Sequence, residues 1–365
     1  MRALPIWLLG LLGALVASGQ QPLRFGVADE EWRLGDAAPS ATGFALVGTA
    51  TDSSGTHLLA LVADTDGQVR WQQRLARQGP PSWGEALTLS PEGDWVVGGS
   101  LDGNALVTKL AAEDGQMAWV KTFGRGVVRD LASAAGDLLA LVENEGETRL
   151  LKLDSEGILR WETPLADSAP TTRPGRVVGL PDGSGAVASG GNLWGIGPEG
   201  RVAWHLGGAR RQVRWYALRR LRNGELVAVG EEQPPSLGQD AQAEVAVVAS
   251  DGSRMRWAKT FGEAGDADAA CDALETADGK LWLLCSRNEG FWLAELSAKH
   301  EVRTQAILGG NPGISTKNAA FLLKSNNRHG RGTTWIAGTG EGDKKAGWVV
   351  LPLLPTLSRV PERKP

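Results

Sequence analysis

The sequence predicts an all-β fold: a seven-bladed β-propeller of four-stranded antiparallel blades, closed by an N-terminal strand. Three observations predict it. An acidic residue, a glycine and, four or five residues later, a tryptophan recur at near-constant spacing. A second glycine marker opens a short alternating or apolar run seven times. The composition, Gly 49 and Trp 15 against Tyr 1 and Phe 6 in 365 residues, fits many tight turns and one aromatic used repeatedly for the same job. With 42% hydrophobic and 22% charged residues the chain can bury a sizeable core, and a net charge of -4 leaves no basic footprint for nucleic acid.

The chain opens with Met1-Arg2, an apolar stretch over residues 3–16 and Ala17-Ser18-Gly19. That pattern reads as a secretory signal peptide over residues 1–19, cleaved near Gly19. The stretch is shorter than the roughly 20 residues needed to span a bilayer. No cysteine lies near the cut to accept a lipid. The mature protein is therefore expected to be secreted or periplasmic, with no membrane span, as a single domain over residues 20–358 and a frayed tail over 359–365.

The first marker appears as Asp66-Gly67 to Trp71, Asp114-Gly115 to Trp119, Glu156-Gly157 to Trp161 and Glu199-Gly200 to Trp204, then with one extra residue as Asp251-Gly252 to Trp257. Its spacings, 48 residues from Trp71 to Trp119 and then 42, 43 and 53, match one four-stranded blade. The second marker falls at Gly43, Gly93, Gly136, Gly183, Gly224, Gly279 and Gly332, each read as a hairpin turn leading into a strand. A further apolar segment lies between each such run and the next tryptophan, which makes four strands per unit. The sixth unit has Thr304 where the tryptophan is expected, and Lys299 and His300 where its acid and glycine are expected. The seventh unit offers strands near residues 317–324, 334–338 and 347–351 but no fourth. Residues near 23–34, whose Glu31-Trp32-Arg33-Leu34-Gly35 is similar to the tryptophan-bearing strand, are expected to supply it. One indole per unit at a constant position is what radial stacking of blades needs, so Trp32, Trp71, Trp119, Trp161, Trp204 and Trp257 are assigned to docking between blades.

These turns and tryptophans resemble those of the quinoprotein-like superfamily of bacterial secreted propellers, the PQQ-like repeat group, over residues 23–354. The resemblance implies a propeller of WD40/YVTN-like build whose blades dock through tryptophans after a turn glycine. Where the superfamily's docking motif has threonine before the glycine, this chain has Asp66, Asp114, Glu156, Glu199 and Asp251. The vicinal cysteines of the quinone dehydrogenases are missing as well. No cofactor is expected.

No catalytic residue is assigned. His57, His205, His300 and His329 share no spacing and read as surface residues. Gly-x-Ser-x-Gly, His-Glu-x-x-His and Walker-type sequences do not occur. Cys271 and Cys285 flank the turn around Gly279, where either a cross-strand disulfide or two adjacent buried thiols would fit, and no histidine or second cysteine pair completes a metal set. A basic run through Arg214, Trp215, Tyr216, Arg219 and Arg220 on an inner strand faces the acidic Asp266-Ala267-Asp268 to Asp272 of the next unit. It reads as neighbouring blades neutralising each other, or else as an anion or glycan site at the channel mouth. The expected function is a monomeric, non-catalytic binding or scaffold propeller presenting loops to a protein or glycan of the envelope or exterior. A quinoprotein-like or glycan-cleaving enzyme and an outer-membrane assembly factor stand as alternatives.

Overall fold

The computed structural model describes residues 22–40, 42–75, 79–165, 175–207, 212–233, 240–262, 266–276, 278–287, 290–297, 301–308, 320–326, 332–340 and 347–353. The expected leader and tail lie outside the described residues, as do Lys299, His300 and His329. The strands form seven four-stranded antiparallel sheets. The first strand, β1 (Leu23–Phe25), belongs to the last of these sheets. Blade one runs outward through β2 (Glu31–Pro39), β3 (Gly43–Asp52), β4 (Gly55–Asp64) and β5 (Val69–Leu75), and blade two through β6 (Ser82–Leu89), β7 (Trp95–Leu101), β8 (Asn104–Leu110) and β9 (Met117–Arg125). Blade three comprises β10 (Val127–Ala134), β11 (Asp137–Asn144), β12 (Glu147–Leu153) and β13 (Leu159–Leu165); blade four is β14 (Arg176–Gly179), β15 (Gly185–Ser189), β16 (Asn192–Ile196) and β17 (Val202–Leu206). Blade five holds β18 (Gln212–Arg220), β19 (Leu226–Gln233), β20 (Gln242–Val248) and β21 (Met255–Phe261), and blade six β22 (Asp268–Glu275), β23 (Leu281–Arg287), β24 (Gly290–Leu296) and β25 (Val302–Leu308). Blade seven is β26 (Ala320–Asn326), β27 (Gly332–Gly340) and β28 (Gly347–Leu353), completed by β1.

The middle strands are near-continuous apolar runs because a neighbouring blade covers each of their faces. Phe44, Leu46, Leu59 and Leu61 of blade one, for example, pack with Phe321, Leu323, Trp335 and Trp348 of blade seven. The outer strands add a directional contact. The indole N–H of Trp71 donates to the carbonyl of Ala112 at 3.0 Å, that of Trp119 to Ser155 at 3.2 Å, and that of Trp161 to Pro198 at 2.8 Å, each in the following blade. The ring beneath each bond lies on the next blade's turn glycine. A Cβ on Gly157 would stand 3.0 Å from the Trp119 ring, and this glycine also has φ +72°, a conformation that favours glycine. Trp71 meets Gly115, Trp161 meets Gly200 and Trp204 meets Gly252 in the same way.

Ring closure differs from the sequence expectation in one respect. Among the described residues of the N-terminus, Leu23–Phe25 alone pairs with the last blade, in the register Leu23↔Val350, Arg24↔Val349, Phe25↔Trp348. Residues 31–39 form instead the innermost strand of blade one, because every blade needs an inner strand along the channel and β3 is already the second. Trp32 is therefore not on an outer strand. It is buried where blades one and seven meet, edge-on to Trp348 at 5.3 Å between centroids, and donates to Glu30 at 2.7 Å. The docking place in blade seven belongs to Leu23, whose side chain would stand 3.0 Å from a Cβ on Gly67 in the turn of blade one. Gly43 is also not a turn glycine: it is the first residue of β3, and a Cβ there would meet the Ala63 carbonyl oxygen.

Trp119→Ala removes a half-buried indole and its hydrogen bond, and is expected to lower unfolding free energy by roughly 2–4 kcal/mol without changing the β-sheet circular dichroism. A chemical-denaturation curve coincident with that of the wild type would contradict the docking role.

Candidate functional site

The seven inner strands line a channel, and five of them carry a bulge where the register shifts: between Leu34 and Asp36, Gly84 and Ala86, Val128 and Asp130, Trp215 and Ala217, and Ala270 and Asp272. A bulge turns the following side chain out of the regular alternation. In blades one, three and six that side chain is an aspartate, and each clamps the inner strand of the next blade. Asp36 accepts the backbone N–H of Leu87 at 2.9 Å, Asp130 that of Val177 at 2.7 Å, and Asp272 that of Leu322 at 2.9 Å. Asp36 and Asp272 also accept the N–H of their own following residue at 2.8 Å. The seam between blades seven and one uses a hydroxyl instead, Thr339 accepting the N–H of Leu34 at 2.9 Å.

Two arginines share the channel with these acids. Arg219 of β18 grips Asp272 with two bonds, Nε at 3.0 Å and Nη2 at 2.9 Å. Arg176 of β14 donates from Nε to the Tyr216 carbonyl at 3.3 Å, lies over the Phe321 ring at 5.5 Å, and holds Nη1 3.9 Å from Asp130. Burial pushes the Asp36 carboxyl up to about 7 against the pull of Arg176, and burial raises that of Asp130 as well. Below the clamps the channel opens into a cavity of about 520 Å³, whose lining includes Asp36, Asp130, Arg176, Arg219, Phe321 and Leu323. Above them Arg129 sits 3.3 Å from Glu143 and 3.7 Å from Glu85, and burial raises the Glu85 carboxyl.

The basic run of blade five is divided by the structure. Trp215 and Tyr216 are buried, Trp215 among the side chains between blades four and five, so neither offers a face to a sugar. Arg214 turns to Glu231 of its own blade at 3.6 Å. Arg219 and Arg220 both line the cavity. Arg219 and Asp272 join the basic and acidic runs across blades five and six.

Cys271 and Cys285 are both buried and are not joined in a disulfide. Ala270 pairs with Cys285 and Asp272 with Leu284, which places Cys271 in the bulge on the Leu284 face. Cys271 packs toward blade seven and Cys285 toward blade five, so the expected alternative of a disulfide is corrected to two thiols on opposite faces of one sheet. His57 is another correction. It is buried, with Nε2 2.9 Å from the Ser54 hydroxyl and 3.5 Å from Asp52, near the Arg74–Glu30 pair beside the closing strand. His205 stacks on Trp194 at 5.2 Å. Among the described residues no three His, Cys, Asp or Glu side chains are grouped to hold a metal ion.

Sequence reasoning missed Asp36, Asp130 and Arg176. The available signal was an aspartate before two small or aliphatic residues on an inner strand: Asp36-Ala37-Ala38, Asp130-Leu131-Ala132 and Asp272-Ala273-Leu274.

Two measurements follow. The Asp36 carboxyl binds its proton more tightly in the folded chain than in the unfolded one, so its contribution to stability is complete below about pH 4 and is lost as pH rises through about 7. Asp36→Asn is expected to remove that decline, on the order of 4 kcal/mol, from a series of denaturation curves between pH 4 and 8. Thiol titration of denatured, unreduced protein is expected to find both cysteines free; finding none would contradict the opposite-face placement.

The sequence model of a PQQ-like repeat family, described as outer membrane protein assembly factor BamB, matches residues 55–305, from β4 to β25. The WD40 β-propeller domain of Doa1 is similar in structure at 14% identity, with 90% of this chain and 96% of that one covered and a TM-score of 0.55. The β-propeller domain of Cps50 (Swd1) from Myceliophthora thermophila aligns at 12% identity, with 90% and 98% covered and a TM-score of 0.57. A chain of the mitotic checkpoint complex aligns at 11% identity, with 87% and 90% covered and a TM-score of 0.58. At such identities these likenesses speak to the fold alone. No curated protein matches the chain.

Proposed function

The chain belongs to the PQQ-like repeat family of the outer membrane protein assembly factor BamB, and we propose that it acts as an exported, non-catalytic propeller that binds a protein of the cell envelope. One observation carries the reading. The first residue of five successive outer strands, two positions before each docking tryptophan, is apolar and exposed: Val69, Met117, Leu159, Val202 and Met255, at 37 to 49%. Single exposed apolar side chains are ordinary, but recurrence at one position in five blades makes a rim. Ile158, the residue before Leu159, is exposed as well and extends it. The docking indoles need only the tryptophan itself, so nothing in blade packing asks for an exposed apolar neighbour. The signal-peptide pattern expected over residues 1–19 supports export. The family description favours a second, finer reading in which the partner belongs to outer-membrane protein assembly.

The test is affinity purification of the full chain from an envelope extract, compared with the double variant Leu159→Lys and Val202→Lys. The wild type is expected to retain an envelope protein that the variant loses, while both melt at the same temperature, since exposed substitutions fall within about 0.5 kcal/mol. Equal recovery by both would remove the rim. Dye reduction after addition of pyrroloquinoline quinone with calcium would replace the scaffold by an enzyme.

A further inference from the structure

We propose that the cavity beneath the channel clamps is a binding site for a small organic carboxylate, its anionic group held by Arg176 and Arg219 and its apolar body lying in the throat. This site is distinct from the rim and does not depend on it.

The argument begins with what Arg176 lacks. Its side chain is 11% exposed, and a guanidinium carries five donors in a rigid fork. Nε is used by the Tyr216 carbonyl, but among the described residues no acceptor lies within hydrogen-bond distance of Nη1 or Nη2, Asp130 standing 3.9 Å off. Both nitrogens reach the cavity that Arg176 lines, where a ligand carboxylate would exchange a water contact for a charge-assisted one. The neighbouring carboxylates are not placed to close on it. Asp130 is fixed by the N–H of Val177, Asp36 by those of Ala37 and Leu87, and Asp272 by those of Ala273 and Leu322 together with Arg219. Moving any of them toward Arg176 would break a seam between blades.

Arg219 supplies the second donor. Asp272 takes its Nε and Nη2, leaving Nη1 for another acceptor, and the side chain is 46% exposed while lining the same cavity. A carboxylate has two oxygens and four acceptor sites, enough to bridge two guanidinium groups. The remaining wall sets the rest of the molecule. Phe321 already lies under Arg176, and Ala38, Ala132, Val178, Leu274 and Leu323 make an apolar throat. Its volume, about 520 Å³, suits a small organic molecule. At the mouth Arg220 draws anions in, while Glu275 opposes a second negative charge. The burial that raises the Asp36 and Asp130 carboxyls weakens their claim on Arg176 and favours an incoming anion.

The probe is benzoate, with benzamide as its neutral counterpart and inorganic phosphate as an anion without an apolar body, titrated calorimetrically into the full chain at pH 6.5. Benzoate is expected to bind saturably at one site, with benzamide and phosphate at least roughly tenfold weaker. Arg176→Lys keeps the charge but loses the fork, and is expected to weaken benzoate by about tenfold. Val178→Trp fills the throat without removing a charge and is expected to abolish binding. Should Arg176→Lys fail to fold, Val178→Trp and Arg219→Gln carry the test. Equal binding of benzoate and benzamide, tighter binding of phosphate, benzoate binding unchanged by Val178→Trp, or no saturable binding of benzoate would each overturn the proposal.

Discussion

An indole resting on the turn glycine of the next blade is the contact from which the ring is built. Its two halves belong to one sequence motif but never meet within one blade. Gly157 receives the ring of Trp119, while Trp161, four residues on, passes the contact forward to Gly200. The glycine is required twice over, by its positive φ and by the ring above it: a Cβ on Gly115, Gly200 or Gly252 would fall 2.0 to 2.8 Å from indole atoms. A head-to-tail contact of this kind joins four successive seams, from blade one to blade five, and the end of the chain meets blade one only through the chain's beginning. Leu23 over Gly67 closes that circuit with an aliphatic side chain, in a strand of only three residues. The seam is then reinforced by longer-reaching groups: Trp32 against Trp348, Arg74 bonded to Glu30, and Thr339 bonded to Leu34.

Toward the axis the same need is met by charge rather than area. At points along the channel the inner strands of neighbouring blades converge too closely for any side chain. Gly35 faces the backbone of Gly84 so tightly that any Cβ would collide with it. A carboxylate reaching from one strand to a backbone N–H of the next spans this narrow gap and satisfies a donor that no ladder partner can take. The desolvation it incurs appears in the raised Asp36 and Asp130 carboxyls. Arginines offset that cost in part, and Arg219 does so most fully, at Asp272.

The repeat, the blade number and the use of the N-terminus were legible because each rests on residues that recur: a glycine forced by φ and a tryptophan forced by docking. Trp32 was misread because an acid, a tryptophan and an apolar residue at a strand start look alike whether the strand is outermost or innermost. What separates the two is the need for an inner strand before Gly43, a requirement of topology that no single residue announces. Cys271 and Cys285 looked cross-strand neighbours on a simple count from the turn, and one bulge residue changed the face. Bulges carry no composition signal strong enough to place them, and here they also position the aspartates. The channel chemistry was hidden for that reason, even though Asp272 and Arg219 both stood out as members of opposed charged runs.

The contacts that hold the ring and the surfaces available to ligands are therefore set at different radii, and this separation makes a binding role physically coherent. Outer strands spend their tryptophans inward on the next blade, and the residue two positions earlier projects outward without a structural task. Inner strands spend their aspartates sideways on the next strand, and the arginines among them are left with donors facing the axis. Substitution at the rim changes an exposed surface while leaving the seams intact. Substitution at Gly157, Trp119 or Asp130 acts on the seams themselves. A ring so constructed holds its rim positions in fixed relation to one another, which lets five small apolar side chains on separate blades act as one surface toward a partner large enough to span them.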